Sequence, residues 1–75
     1  MKRLINVVAT FDTAGNIKPT KILWDDFRTF DIDRITDIRR AACLKAGGTG
    51  IRYTCQINGK TRYLFLDNGV WFVNI

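Results

Sequence analysis

The sequence predicts an all-β domain, with at most one short helix, folded as a small SH3-like antiparallel barrel. Three observations predict it. Two Asn-Gly dipeptides, Asn58-Gly59 and Asn68-Gly69, are each flanked by alternating residues. A strict period of two runs through residues 4–11. Six short strand-like segments, joined mostly by turn formers, fit within 75 residues, and closing them would hide sheet edges that otherwise recruit other chains. That length holds one domain, 1–75, with a thin core.

The first strand covers residues 4–11 and places Ile5, Val7, Ala9 and Phe11 on one face. Asp12-Thr13-Ala14-Gly15-Asn16 is a connection rich in turn formers. Residues 17–24 return as a second strand, and Pro19, which has no N–H to donate, suggests an edge position for it. Asp25-Asp26 makes the next turn. Two readings compete over residues 28–46. Ile32, Ile35, Ile38 and Ala42 recur at helical spacing, with aspartates early, arginines late and Gly47 as a fitting C-cap. Three isoleucines and a threonine, stiff in helices, favour instead a strand over 28–38 and a loop, with at most a helical turn, over 39–49.

The C-terminal third yields a register. Two-residue turns at Asn58-Gly59 and Asn68-Gly69 define strands 50–57, 60–67 and 70–75. Ile57 then pairs Lys60, Cys55 pairs Arg62, Tyr53 pairs Leu64, Ile51 pairs Leu66, Leu66 pairs Trp71 and Leu64 pairs Val73. Paired residues share a face. The core face therefore collects these apolar side chains together with Ile75, and the opposite face carries Arg52, Tyr63, Phe65 and Phe72.

The run Gly47-Gly48-Thr49-Gly50-Ile51-Arg52-Tyr53-Thr54, the ending Trp71-Phe72-Val73 and the earlier Pro19, Ile22 and Trp24 resemble a family of short uncharacterised proteins from Gram-positive bacteria. The resemblance spans most of the chain and implies no activity and no binding residues.

Composition narrows the function classes. Hydrophobic residues are 47 % of the chain, too many for a disordered segment, and no run approaches a membrane span. Lys2 and Arg3 precede a short apolar run that Asn6 interrupts, unlike an export signal, so the reading is cytoplasmic with no membrane partner. Cys43 and Cys55 lack metal-ligand spacing, and with no histidine in the chain neither a metal nor a cofactor is expected. They read as two reduced thiols. Without histidine a cysteine nucleophile also lacks its usual base, and adjacent aspartates in turns diverge rather than converge across a cleft. Gly47-Gly48-Thr49-Gly50 precedes a strand, whereas strong phosphate loops precede a helix. The chain reads as non-enzymatic.

Charge carries the best functional signal. Residues 1–37 hold six basic and six acidic side chains, whereas residues 38–66 hold Arg39, Arg40, Lys45, Arg52, Lys60 and Arg62 with no acid. The net charge is +5. Cations that meet phosphate, beside rings on which bases stack, characterise single-strand nucleic-acid binders. The expectation is a binding module that contacts nucleic acid weakly through residues 39–62, with Tyr63 or Phe65 as a stacking surface. A protein partner or homodimer using Phe65 and Phe72 is the alternative, and cover of that pair by the chain itself is the plain structural explanation.

Overall fold

The computed structural model describes the backbone of residues 2–42 and 49–74 and the side chains of 2–40 and 50–74. Cys43, Lys45, Gly47, Gly48 and Ile75, each singled out above, lie outside the described residues. The described chain is all-β, in eight strands: β1 (Lys2–Leu4), β2 (Asn6–Phe11), β3 (Ile17–Leu23), β4 (Thr29–Asp31), β5 (Arg34–Ala42), β6 (Thr49–Ile57), β7 (Lys60–Asp67) and β8 (Val70–Asn74). Among these residues no helix is long and apolar enough to cross a membrane.

The strands form two antiparallel sheets, one of five strands ordered β1-β8-β7-β6-β5 and one of three ordered β2-β3-β4. The sheets are not closed into the expected barrel. Instead, two stretches of chain bend from one sheet to the other. At Ile5 the N–H donates to the Trp71 carbonyl (3.1 Å) before β2 enters the small sheet. At the other corner the Ile32 N–H donates to Thr20 of the small sheet (3.0 Å), and the next N–H, of Asp33, donates to Gln56 of the large one (2.8 Å). Strands that switch sheets in this way form the corners of sandwiches.

Both Asn-Gly dipeptides are two-residue turns in which asparagine and glycine take positive φ: 52° and 76° at Asn58-Gly59, and 52° and 78° at Asn68-Gly69. The resulting β6–β7 register is the expected one, from Ile51↔Leu66 to Ile57↔Lys60. In the last hairpin Leu66↔Trp71 holds, but the paired register ends at Phe65↔Phe72, so the expected Leu64–Val73 pair is absent. Val73 and Asn74 pair with Arg3 and Lys2 of β1. Here β8 has parted from β7 while remaining on its other neighbour.

The N-terminal half needs three corrections. The 4–11 strand is two strands broken at Ile5. β3 is the central strand of its sheet, although β4 pairs only with Lys21, Ile22 and Leu23. Pro19 therefore sits where β2 is its one neighbour, and its missing N–H costs no ladder bond. A register shift opposite Val8/Ala9 leaves Thr20 unpaired with β2, and its hydroxyl donates to the Val8 carbonyl (3.1 Å). Lastly, the expected 28–38 strand is two, β4 and β5, broken at Ile32-Asp33 and placed in different sheets, and β5 continues through Ala42, so Arg39 and Arg40 lie on a strand and not in a loop. The β-branched residues prevail over the helical spacing.

The core lies between the sheets. Tyr53, Cys55, Ile57, Leu64 and Leu66 from the large sheet meet Ile5 and Ile22, with Trp71, Val73, Trp24 and Phe30 half-buried around them. Tyr53 spans the gap. Its ring lies 5.4 Å from that of Trp71, and its hydroxyl donates to the Ile17 carbonyl of β3 at 2.6 Å.

Candidate nucleic-acid interface

Strand alternation divides the basic block between two faces of the large sheet. Arg39 pairs Arg52, and Arg52 pairs Phe65, so these three share the outer face with Tyr63, Phe72 and Lys2. Arg40 pairs Ile51 and Arg62 pairs Cys55, which puts Arg40, Lys60 and Arg62 on the face that carries the core. The six-cation segment therefore does not make one patch.

On the outer face, cations sit over rings. The Arg52 guanidinium lies 5.4 Å from the Tyr63 ring centre, and the Lys2 ammonium lies 4.4 Å from that of Phe72. Phe65 stacks on Phe72 with centroids 5.2 Å apart and planes 12° from parallel. Tyr63 is 52 % exposed, but Phe72 is fully buried. Arg52 is half-buried, and its Nε is shielded and has no hydrogen-bond partner among the described residues. Within the pair, the chain itself covers Phe72, and Phe65 stays half-buried. Arg39 is exposed, but its Nε donates to Asp37 at 2.7 Å, which removes much of its attraction for an external anion.

Where β8 parts from β7, the first half of β7 keeps β6 on one side and has no paired strand on the other among the described residues. That stretch is Lys60-Thr61-Arg62-Tyr63. Lys60 and Arg62 are exposed, project to one face and make no ion pair among the described residues; Tyr63 projects to the other. Arg62 donates to the neighbouring Thr61 carbonyl (3.2 Å), and Gln56 donates to the Thr61 hydroxyl (2.8 Å). Two cations without an ion pair among the described residues and a half-exposed ring thus lie within four residues of one strand edge, with Arg52 behind the ring.

Three of the acids are tied into turns and corners. Asp12 accepts from the Ala14 and Asn16 N–H groups (both 2.9 Å) and from Asn16 Nδ2 (3.2 Å). The Asn16 hydrogen bonds hold its carboxyl below the ordinary carboxylate value. Asp25 accepts from the Phe27 and Arg28 N–H groups and pairs with the Arg28 guanidinium at 2.6 Å, which lowers its pKa in turn, the Arg28 hydrogen bond first. Asp33 accepts from the Asn58 N–H (3.0 Å). These aspartates act as turn builders.

Cys55 is fully buried, its thiol lies 3.7 Å from the Tyr53 carbonyl, and burial pushes its pKa up to about 11. A thiol held protonated in an apolar site is a poor nucleophile. No group of three or more metal-ligating side chains occurs among the described residues.

The sequence reading missed Lys2, whose place over Phe72 follows from β1 pairing with β8, a contact between chain ends that no local pattern announces. It also missed Arg3, which lies 3.8 Å from the Trp24 ring centre and donates to the Trp24 carbonyl (3.2 Å). No family model, curated protein or solved structure matches this chain.

Proposed function

We propose that this chain is a non-enzymatic module that binds single-stranded nucleic acid weakly and with little sequence preference along the open edge of β7, on an opened variant of an SH3-like strand arrangement. One observation carries the reading. Lys60, Arg62 and Tyr63 combine two cations free of carboxylates among the described residues with a half-exposed aromatic ring. Cations neutralise phosphates and release counterions, and a ring accepts any base on its face. Arg52, packed on Tyr63, adds charge beside the stacking surface. Arg40 contributes long-range attraction from β5 rather than a contact, and Arg39, paired with Asp37, contributes little.

The test is fluorescence anisotropy with a labelled oligothymidylate of about 15 nucleotides, within the span one small β domain covers. Binding of micromolar order or weaker is expected, falling steeply with salt. Lys60→Ser with Arg62→Ser should flatten the log–log salt slope by about 1.4, at roughly 0.7 per single-strand phosphate contact. Tyr63→Ser should weaken binding with the slope unchanged. No binding at low salt, or binding that both variants leave intact, overturns the proposal.

A further inference from the structure

The parting of β7 and β8 also opens a groove of about 890 Å³ into the space between the sheets, and its chemistry differs from that of the strand edge above it. The volume lies within the range of sites that enclose small organic ligands. The apolar lining with exposed surface is Phe30, Val73 and Trp24, all half-buried, and Ile22, Cys55 and Leu64 lie enclosed in the core behind them. At the rim stand Lys60 and Arg62, unpaired among the described residues, and Arg28, already held by Asp25. Among the described residues no carboxylate lines the groove, and Asp33, which accepts from the Asn58 N–H beside it, is engaged.

We infer that this groove binds a small amphiphilic anion, with its hydrocarbon tail against Phe30, Val73 and Trp24 and its carboxylate at Lys60 and Arg62. Charge complementarity selects the headgroup. Two unpaired cations beside an apolar cleft favour an anion and repel a cation, while the tail removes from water the apolar surface that the open sandwich leaves uncovered. A neutral alcohol of equal length keeps the tail contribution alone. The inference does not rest on nucleic-acid binding, although both use Lys60 and Arg62.

Trp24 serves as reporter. The chain has two tryptophans, so Trp71→Phe leaves Trp24 as the single emitter. Sodium decanoate, titrated below its micellar range, should change Trp24 emission saturably with one site per chain. Decyltrimethylammonium should bind at least about tenfold more weakly, a difference that one charge-assisted contact supplies. In the Lys60→Ser, Arg62→Ser variant, whose changes are at exposed positions, decanoate affinity should fall about tenfold while that of decanol holds. Non-saturating emission, equal affinity for the cationic amphiphile, or a double variant that binds decanoate like the parent each overturns the inference. Heat measured by calorimetry on the unsubstituted chain keeps the test decisive if Trp24 emission does not move: heat with one-site saturation upholds the site, and its absence overturns it. Decanoate binding without oligothymidylate binding upholds the groove and removes the nucleic-acid proposal; the reverse result does the opposite.

Discussion

Tyr53→Phe removes one oxygen and tests how the two sheets are joined. The Tyr53 ring is almost wholly enclosed, and its hydroxyl makes the 2.6 Å bond to Ile17, thirty-six residues away in the other sheet. Phenylalanine keeps the ring contacts, including the 5.4 Å approach to Trp71, so the cavity term is small. What is lost is one hydrogen bond, about 1 kcal/mol net, plus the cost of leaving the Ile17 carbonyl without its partner, which brings the total to about 1–2 kcal/mol. A domain of this size melts about 4–8 °C lower per kcal/mol, so Tm should fall by roughly 5–15 °C. Urea unfolding followed by tryptophan emission gives the free energy directly, and the m-value should be unchanged because the same surface is exposed. Burial also raises the Tyr53 pKa above 10.0. A raised folded-state pKa means that this contribution is intact below the ordinary value and lost as pH rises through the folded one. The parent should therefore lose stability above about pH 10 more steeply than Tyr53→Phe. If the variant is as stable as the parent at neutral pH, Tyr53 does not tie β6 to β3 and the packing of the sheets is wrong.

Three further outcomes follow from the same packing. Gly59→Ala forces an L side chain to adopt φ 76°; nothing lies within 4 Å of the new Cβ, so the cost is conformational, about 1 kcal/mol by urea unfolding. The Cys55 pKa, raised to about 11, leaves the contribution of Cys55 to stability constant below the ordinary thiol value of 9.0 and lets it decline between there and 11, by about 2–3 kcal/mol in all. Cys55→Ala should lack that decline, and native Cys55 should resist thiol reagents that label the unfolded chain. Asp25 has a depressed pKa, so its contribution is present above 3.8 and lost as pH falls through the folded-state value. Asp25→Asn should melt below the parent at neutral pH, and the gap should close in acid.

The parts of the fold legible in the sequence are those governed by neighbours along the chain. Asn58-Gly59 and Asn68-Gly69 demand positive φ at successive residues, and that requirement alone sets the β6–β7 pairing residue by residue. The Asp12–Asn16 turn is legible for the same reason: a short acceptor side chain collects nearby N–H groups. Ile5 and Ile32-Asp33 were not legible as corners, because bending depends on which distant strand each N–H meets. The splay of Val73 away from Leu64 depends likewise on β1 returning from the far end of the chain.

The candidate site divides along the same line. The expectation that Arg52, Tyr63 and Phe65 face away from the core follows from alternation and matches their positions. Alternation also assigns Lys60 and Arg62 to the other face, and a charge count along the sequence cannot reveal that division. The burial of Phe72 and the groove beneath Lys60 depend on tertiary contacts that no local window contains.

The most direct test of the functional account is a ¹H–¹⁵N correlation spectrum recorded while oligothymidylate is added at low salt. Shifts should concentrate at Arg52 and along Lys60–Phe65, and the acid-bearing turns at 12–16 and 25–28 should stay still. Shifts centred on those turns, or none above the noise at saturating oligonucleotide, would contradict a binding edge on β7.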